Sequence, residues 1–142
     1  MFDSPFEFCP HCREYVLLDL FSEGKAARTP KVIKAFSIAL KEEGRPPGED
    51  LLRYWKENHA PLAVQLLPGL RKYVQSHPLE VPGFQFEVAR VAETWWDGVE
   101  AYQNYQKWRQ TEAAKPLLAD EQKMSASRRL RFVAQEFLVM ER

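Results

Sequence analysis

Thr29-Pro30-Lys31-Val32-Ile33-Lys34-Ala35-Phe36-Ser37-Ile38-Ala39-Leu40 reads as the opening of a helix. A threonine hydroxyl stands at the N-cap, and proline follows at the first helical position, where its missing N–H costs nothing. Val32, Ile33, Phe36, Ala39 and Leu40 share one helical face. Gly44 supplies a left-handed stop, and Arg45-Pro46-Pro47-Gly48 is a rigid connector. A second helix runs from about Glu49, with its acidic first turn, to about Asn58, with Leu51, Leu52 and Trp55 on its inner face. Pro61 opens a third, which carries Leu62, Leu66, Leu70, Tyr73 and Val74; Pro68-Gly69 breaks or kinks it and His77-Pro78 ends it.

Working outward, Leu79 to Val88 has strand-like alternation and the pattern from there to about Arg109 is helical. Lys115-Pro116 marks a break, and Ser125 or Ser127 caps a final helix running to the C-terminus. At the other end, Phe6-Glu7-Phe8 and Arg13 to Phe21 flank Cys9-Pro10-His11-Cys12. The expected local form is a short hairpin with the tetrapeptide as its turn, the alternative being a helix starting within 14–21. The expected fold is mainly α: a small helical bundle with a short N-terminal β-hairpin of zinc-knuckle type and one further short strand. A single domain spans 1–142, with the Cys-x-x-Cys hairpin in 1–24, a three-helix segment in 29–77, and aromatic-rich and C-terminal helices in 79–142.

The chain's 142 residues suffice for one packed core. Twenty basic and twenty acidic residues cancel, with a pI near 6.8, which argues against coating nucleic acid by bulk charge. No window has the apolar length of a membrane span and no signal-peptide pattern begins the chain, so the expected location is cytoplasmic.

Both cysteines of the chain lie at Cys9 and Cys12. A Cys-x-x-Cys turn presents two soft thiolates to zinc, and Pro10 stiffens it. Residues 6–16 resemble the first knuckle of a zinc-ribbon module. A zinc ion held there needs further ligands, for which His59 and His77 are the candidates. The pooled pairs of a homodimer are the other way to complete the site, as in zinc hooks with Cys-Pro-x-Cys. The same tetrapeptide resembles the active site of the DsbA-like branch of the thioredoxin superfamily. That resemblance implies Cys9 as nucleophile and Cys12 as resolving thiol, with His11 lowering the nucleophile's pKa and Val81-Pro82 in the place of the facing proline. A structural pair of thiols without metal or catalysis is the third reading.

The connector Glu42-Glu43-Gly44-Arg45-Pro46-Pro47-Gly48-Glu49-Asp50 resembles the link between the first two helices of helix-turn-helix domains. That implies a third helix, from Pro61, as the DNA reader, with Gln65, Arg71, Lys72 and Gln75 outward. Its mostly apolar sequence favours a core element instead. Trp95 to Arg109 carries five aromatics in fifteen residues. Trp95, Val99 and Tyr102 form one stripe at helical spacing, whereas Trp96 points away from it and is the expected partner anchor. In the last helix Leu130, Val133, Ala134 and Phe137 line one side, and Phe132 and Val139 face a partner on the other. Arg128, Arg129 and Arg131 oppose the dipole at its start, so they suit contact with nucleic acid or an acidic surface.

No phosphate loop, Gly-x-Ser-x-Gly or His-Glu-x-x-His motif occurs. The function these observations favour is a non-enzymatic accessory subunit or regulator, docking on a larger nucleic-acid-handling complex such as a polymerase or a CRISPR-type assembly, with direct nucleic-acid contact secondary. A thiol–disulfide oxidoreductase at Cys9 and Cys12 is the alternative, and a helix-turn-helix regulator the second.

Overall fold

Nearly every side chain from Val32 to Leu40 is buried or half-buried, on both faces of the backbone, and this makes the segment a central strand and not a helix. In a computed structural model, which describes residues 12–42, 47–83, 87–124, 126 and 128–137, Ile33–Leu40 is β2. Thr29 still accepts the Lys31 N–H on its hydroxyl, and its carbonyl accepts the Val32 N–H, but these bonds close a turn that delivers the chain into the sheet. A strand covered on both sides has no polar alternation, so its apolar run satisfies helical spacing by coincidence.

The remaining elements follow in order. β1 is Cys12–Asp19 and pairs with β3, Lys72–Pro78. A helical rod between β2 and β3 consists of α1 (Glu49–Tyr54), a π-helical turn (Trp55–His59) and α2 (Ala60–Leu66). β4 is Val88–Trp96, α3 is Val99–Trp108, a 3-10 turn spans Glu112–Ala114, α4 is Lys115–Gln122 and β5 is Arg129–Ala134. The sheet order is β1-β3-β4-β2-β5, with every neighbour antiparallel. β2 and β3 are therefore parallel across β4, and β4 and β5 parallel across β2, so two β-helix-β crossovers interleave.

The helices cover one face. Ile33, Ala35, Tyr73 and Trp96 of the sheet pack there with Ala60 and Ala63 of α2 and Leu117 of α4, joined by Tyr102, Tyr105 and Trp108 of α3. Gly69, at φ +82°, reverses the chain between α2 and β3 beneath the Trp96 ring. On the other face Phe36, Ile38 and Val91 form one cluster, and Val32, Val74 and Trp95 another. Between them Lys34 pairs with Glu93 at 2.9 Å and with Glu136 at 2.9 Å.

The mainly α bundle is thus replaced by a mixed α+β sheet with helices on one face. The expected second helix is found as α1 and the π-turn. The third stops at Leu66, Pro68-Gly69 acting as the break of the two alternatives, and Tyr73 and Val74 belong to β3. The aromatic helix begins only at Val99, its Trp95 and Trp96 being the end of β4. Lys115-Pro116, expected as a break, opens α4, with proline in the first turn where it is tolerated. The expected C-terminal helix is β5, in which Leu130 and Phe132 alternate with Arg129, Arg131 and Val133. Of the N-terminal hairpin, Cys12–Asp19 is a strand; Cys9 and His11 lie outside the described residues. Among the described residues no helix is long and apolar enough to cross a membrane.

Candidate functional site

The helix-facing side of the sheet is built of small residues at its centre. Ala35, Ser37 and Ala39 of β2 and Ala92 and Thr94 of β4 leave a cavity of about 140 Å³ beneath α3 and α4. Its floor ends on Tyr73 of β3 and on Arg129 and Arg131 of β5, and its roof includes Trp55, His59, Tyr105 and Arg109.

The π-turn places two of these residues. The Trp55 carbonyl accepts the N–H of Ala60, five residues on, and also the side-chain Nε2–H of Gln75, at 3.0 Å. Gln75 is completely buried in β3, and its Nε2 also donates to the Tyr73 hydroxyl at 2.9 Å. This buried amide thereby fixes the rod to the sheet. π-helical turns of this kind recur at functional sites.

His59 Nδ1 lies 2.8 Å from Asp120 Oδ2, both groups being buried where the π-turn meets α4. Asp120 Oδ1 also accepts a hydrogen bond from the Tyr54 hydroxyl. Burial pushes the Asp120 carboxyl up, but the bonds from Tyr54 and His59 outweigh it and hold its pKa below the usual carboxylate value. An ionised Asp120 is an acceptor, so Nδ1 of His59 carries the proton and Nε2 is the nitrogen left for chemistry.

The opposite wall is basic. Arg109 donates to Glu121 Oε2 at 3.0 Å and to the Tyr105 hydroxyl at 3.0 Å. Burial raises the pKa of the Tyr105 hydroxyl and pushes that of Tyr73 up to about 12, so both remain neutral. Among the described residues no carboxylate forms an ion pair with Arg90, Arg129 or Arg131. Burial, with Arg129 nearby, pushes Arg90 down to about 10; burial, with Arg131 nearby, lowers Arg129. The chamber therefore combines apolar walls, a histidine–carboxylate pair and an excess of guanidinium charge.

The expected site residues are dispersed. His59 is in the cavity wall, but His77 sits apart, stacked on Trp55 at 5.0 Å and edge-on to Tyr15 at 4.7 Å, with Nε2 on Gln75 Oε1 at 2.9 Å. Cys12 is buried at the start of β1, opposite Pro78, and carries no free thiol. Among the described residues no three His, Cys, Asp or Glu side chains are grouped as metal ligands. Trp96, expected to face a partner, is 0 % exposed, with its ring 4.7 Å from that of Tyr105. Phe132 is 45 % exposed and stacks on Phe36, while Val139 lies outside the described residues. Arg129 and Arg131 line the cavity, but Arg128 turns away to the Lys41 carbonyl at 2.8 Å and to Glu87. The sequence reading missed Arg90, Arg109, Tyr73 and Asp120. A usable signal existed for Arg90 alone, a single cation inside the apolar run from Val88 to Ala92.

Comparison with known proteins places this architecture. The family model for the EthD domain matches residues 48–128. An EthD family protein from Bacillus halodurans superposes with a TM-score of 0.57 at 19% identity, over 75% of this chain and 99% of that one. For an EthD-like protein from Ralstonia eutropha the values are 0.58 and 15%, over 80% and 97%. A dimeric protein of unknown function with a ferredoxin-like fold, from Bacteroides fragilis, gives 0.51 and 14%, over 75% and 97%. At such identities the likeness concerns the fold. No curated protein matches the chain. These findings overturn the helical bundle with a zinc knuckle, and with it the accessory subunit of a nucleic-acid complex. The thiol–disulfide oxidoreductase falls too, because Cys12 opens an edge strand of an EthD-type sheet. So does the helix-turn-helix regulator, whose reading helix is a seven-residue α2 packed under its own sheet.

Proposed function

The chain belongs to the EthD family, and we propose that its interior cavity is the acid–base site of an enzyme acting on a small, ring-sized organic molecule. The observation that carries this reading is the 2.8 Å contact of His59 Nδ1 with Asp120 at the cavity wall. A carboxylate that holds Nδ1–H orients the imidazole and stabilises it once Nε2 takes a proton. His59 is then the proton-transferring group and Asp120 its positioning residue. The size of the substrate follows from the room available: a protein cavity of about 150 Å³ accommodates benzene, and this one measures about 140 Å³. Tyr73 and Tyr105, held neutral by burial, keep hydroxyl protons with which to meet a substrate oxygen.

The test is proton exchange at the activated C–H positions of single-ring ketones and phenols in D2O, followed by NMR. The wild type should accelerate exchange for the compounds it binds, and His59→Gln should lower that rate by about 10²- to 10⁴-fold while binding persists. An exchange rate unchanged by His59→Gln would end this assignment.

A homodimer is part of the same proposal. The similar Bacteroides fragilis protein is dimeric, and β5, an edge of the sheet, leaves Leu130, Phe132 and Val133 about half exposed.

A further inference from the structure

Arg90 differs from every other cation of the cavity wall in being deeply buried and unfinished. The residue is 7% exposed, and its Nη2 donates to the Met124 carbonyl. Its Nη1 is buried with no hydrogen-bond partner. The guanidinium lies 5.5 Å from the centre of the Trp55 ring, a contact that supplies no acceptor. Arg109, in the same wall, is closed by Glu121 and Tyr105. The charged and titratable groups lining the cavity around Arg90 are Arg129 and Arg131 of β5, Arg109 just after α3, His59 of the π-turn and Glu121 of α4. Glu121 is already engaged by Arg109, so the surplus at Arg90 is positive.

A buried guanidinium with an idle N–H is costly to hold, because removing it from water is repaid only by an anion and complete hydrogen bonding. Natural interiors rarely keep such a group without a reason. The planar fork of arginine matches a carboxylate with two parallel N–H···O bonds. The space beside it is that of one ring, walled by Trp55, Ala92 and Tyr105.

We propose that Arg90 anchors the carboxylate of a single-ring organic acid, which is the substrate class of this cavity. The inference rests on the reading of the cavity as a ligand site and adds the charge and orientation of what enters it. The carboxylate lies on Arg90, Arg129 and Arg131 add attraction from β5, and the ring occupies the space between the sheet and α3, where His59 reaches it from the π-turn.

Benzoate and its neutral counterpart benzamide are the probes. Affinity is measured by calorimetry, and contact with the cavity by the NMR shift of the His59 Cε1–H. Wild-type protein should bind benzoate about tenfold or more tightly than benzamide. Arg90→Met should abolish that preference while still binding benzamide, and its free form should melt no lower than the wild type, since an unpaired buried charge has been removed. Equal wild-type affinity for the two probes overturns the carboxylate anchor and leaves the cavity reading standing. A benzoate preference that survives in Arg90→Met likewise overturns the anchor. If neither probe binds or moves the His59 signal, the cavity reading fails and the anchor with it. The wild-type comparison of the two probes decides the matter even if the variant does not fold.

Discussion

Replacing His77 by phenylalanine should remove most of the acid sensitivity of this fold between pH 7 and pH 4. The His77 imidazole is 8% exposed between Trp55 and Tyr15, and burial, with Lys56 nearby, pushes its pKa from 6.5 to about 4. Gln75 fixes the form that is buried. Its Nε2 donates to Trp55 and Tyr73, so its Oε1 is an acceptor, and His77 Nε2 must carry the proton that meets it. Burial and Lys56 keep the folded chain's imidazole neutral down to about pH 4, whereas the unfolded chain takes up a proton as pH falls through about 6.5. Between the two pKa values the unfolded state binds more protons, so stability falls with acidification and levels off below pH 4. Integrating over that window gives a loss of about 2 kcal/mol from pH 7 to pH 5, and about 3 kcal/mol by pH 4. Urea unfolding of wild type and His77→Phe at pH 7, 6, 5 and 4 measures it. The phenylalanine keeps the ring contacts but leaves Gln75 Oε1 unpaired, a pH-independent cost of about 1–3 kcal/mol. The wild type's advantage at pH 7 should shrink as pH falls, reaching zero or changing sign by pH 4. Parallel pH profiles would refute the argument.

Trp96→Ala should destabilise the protein by about 3–5 kcal/mol in urea unfolding, because a fully enclosed indole stacked on Tyr105 leaves a large void; a loss below 1 kcal/mol would contradict its place in the core. Phe132→Glu should shift the protein toward the monomer in multi-angle light scattering, with helical and strand content unchanged, because it sets a charge on the exposed edge strand β5. A wild type that is monomeric at high micromolar concentration would remove the homodimer.

β2 and β3 carry no strand signal for one physical cause. β2 and β3 are buried on both faces, and a strand in that position loses the alternation that identifies strands. Val32, Ile33, Phe36, Ala39 and Leu40 then fit a helical face as well as a sheet. Thr29-Pro30 strengthened the error, since a hydroxyl followed by proline closes turns as readily as it opens helices. β5 is a different case: Leu130 and Phe132 alternate with Arg129 and Arg131, a period of two that also fits a helix apolar on two sides. The rod from Glu49 and α3 beyond Val99 lie close to where the sequence placed helices. Of the site, His59 was singled out, but for a metal, and Arg129 and Arg131 for external anions. Asp120, Tyr73 and Arg90 come from three elements far apart in sequence, and only the sheet order brings them near one another.

The π-turn also constrains the length of the chain. Trp55, His59 and Ala63 are buried at intervals of four residues, and in an α-helix each such step overshoots a full turn by about 40°. The wider turn takes up that drift, so that Trp55 stays over Gln75 while His59 stays over Asp120. One extra residue in ordinary α winding would swing α1 by about 100° relative to α2, and the wider turn absorbs that residue so that the two stay in phase. The spacing from Trp55 to His59 is thus a mechanical phase setting, one that a count of conserved residue types would pass over because it resides in how many residues there are and not in which.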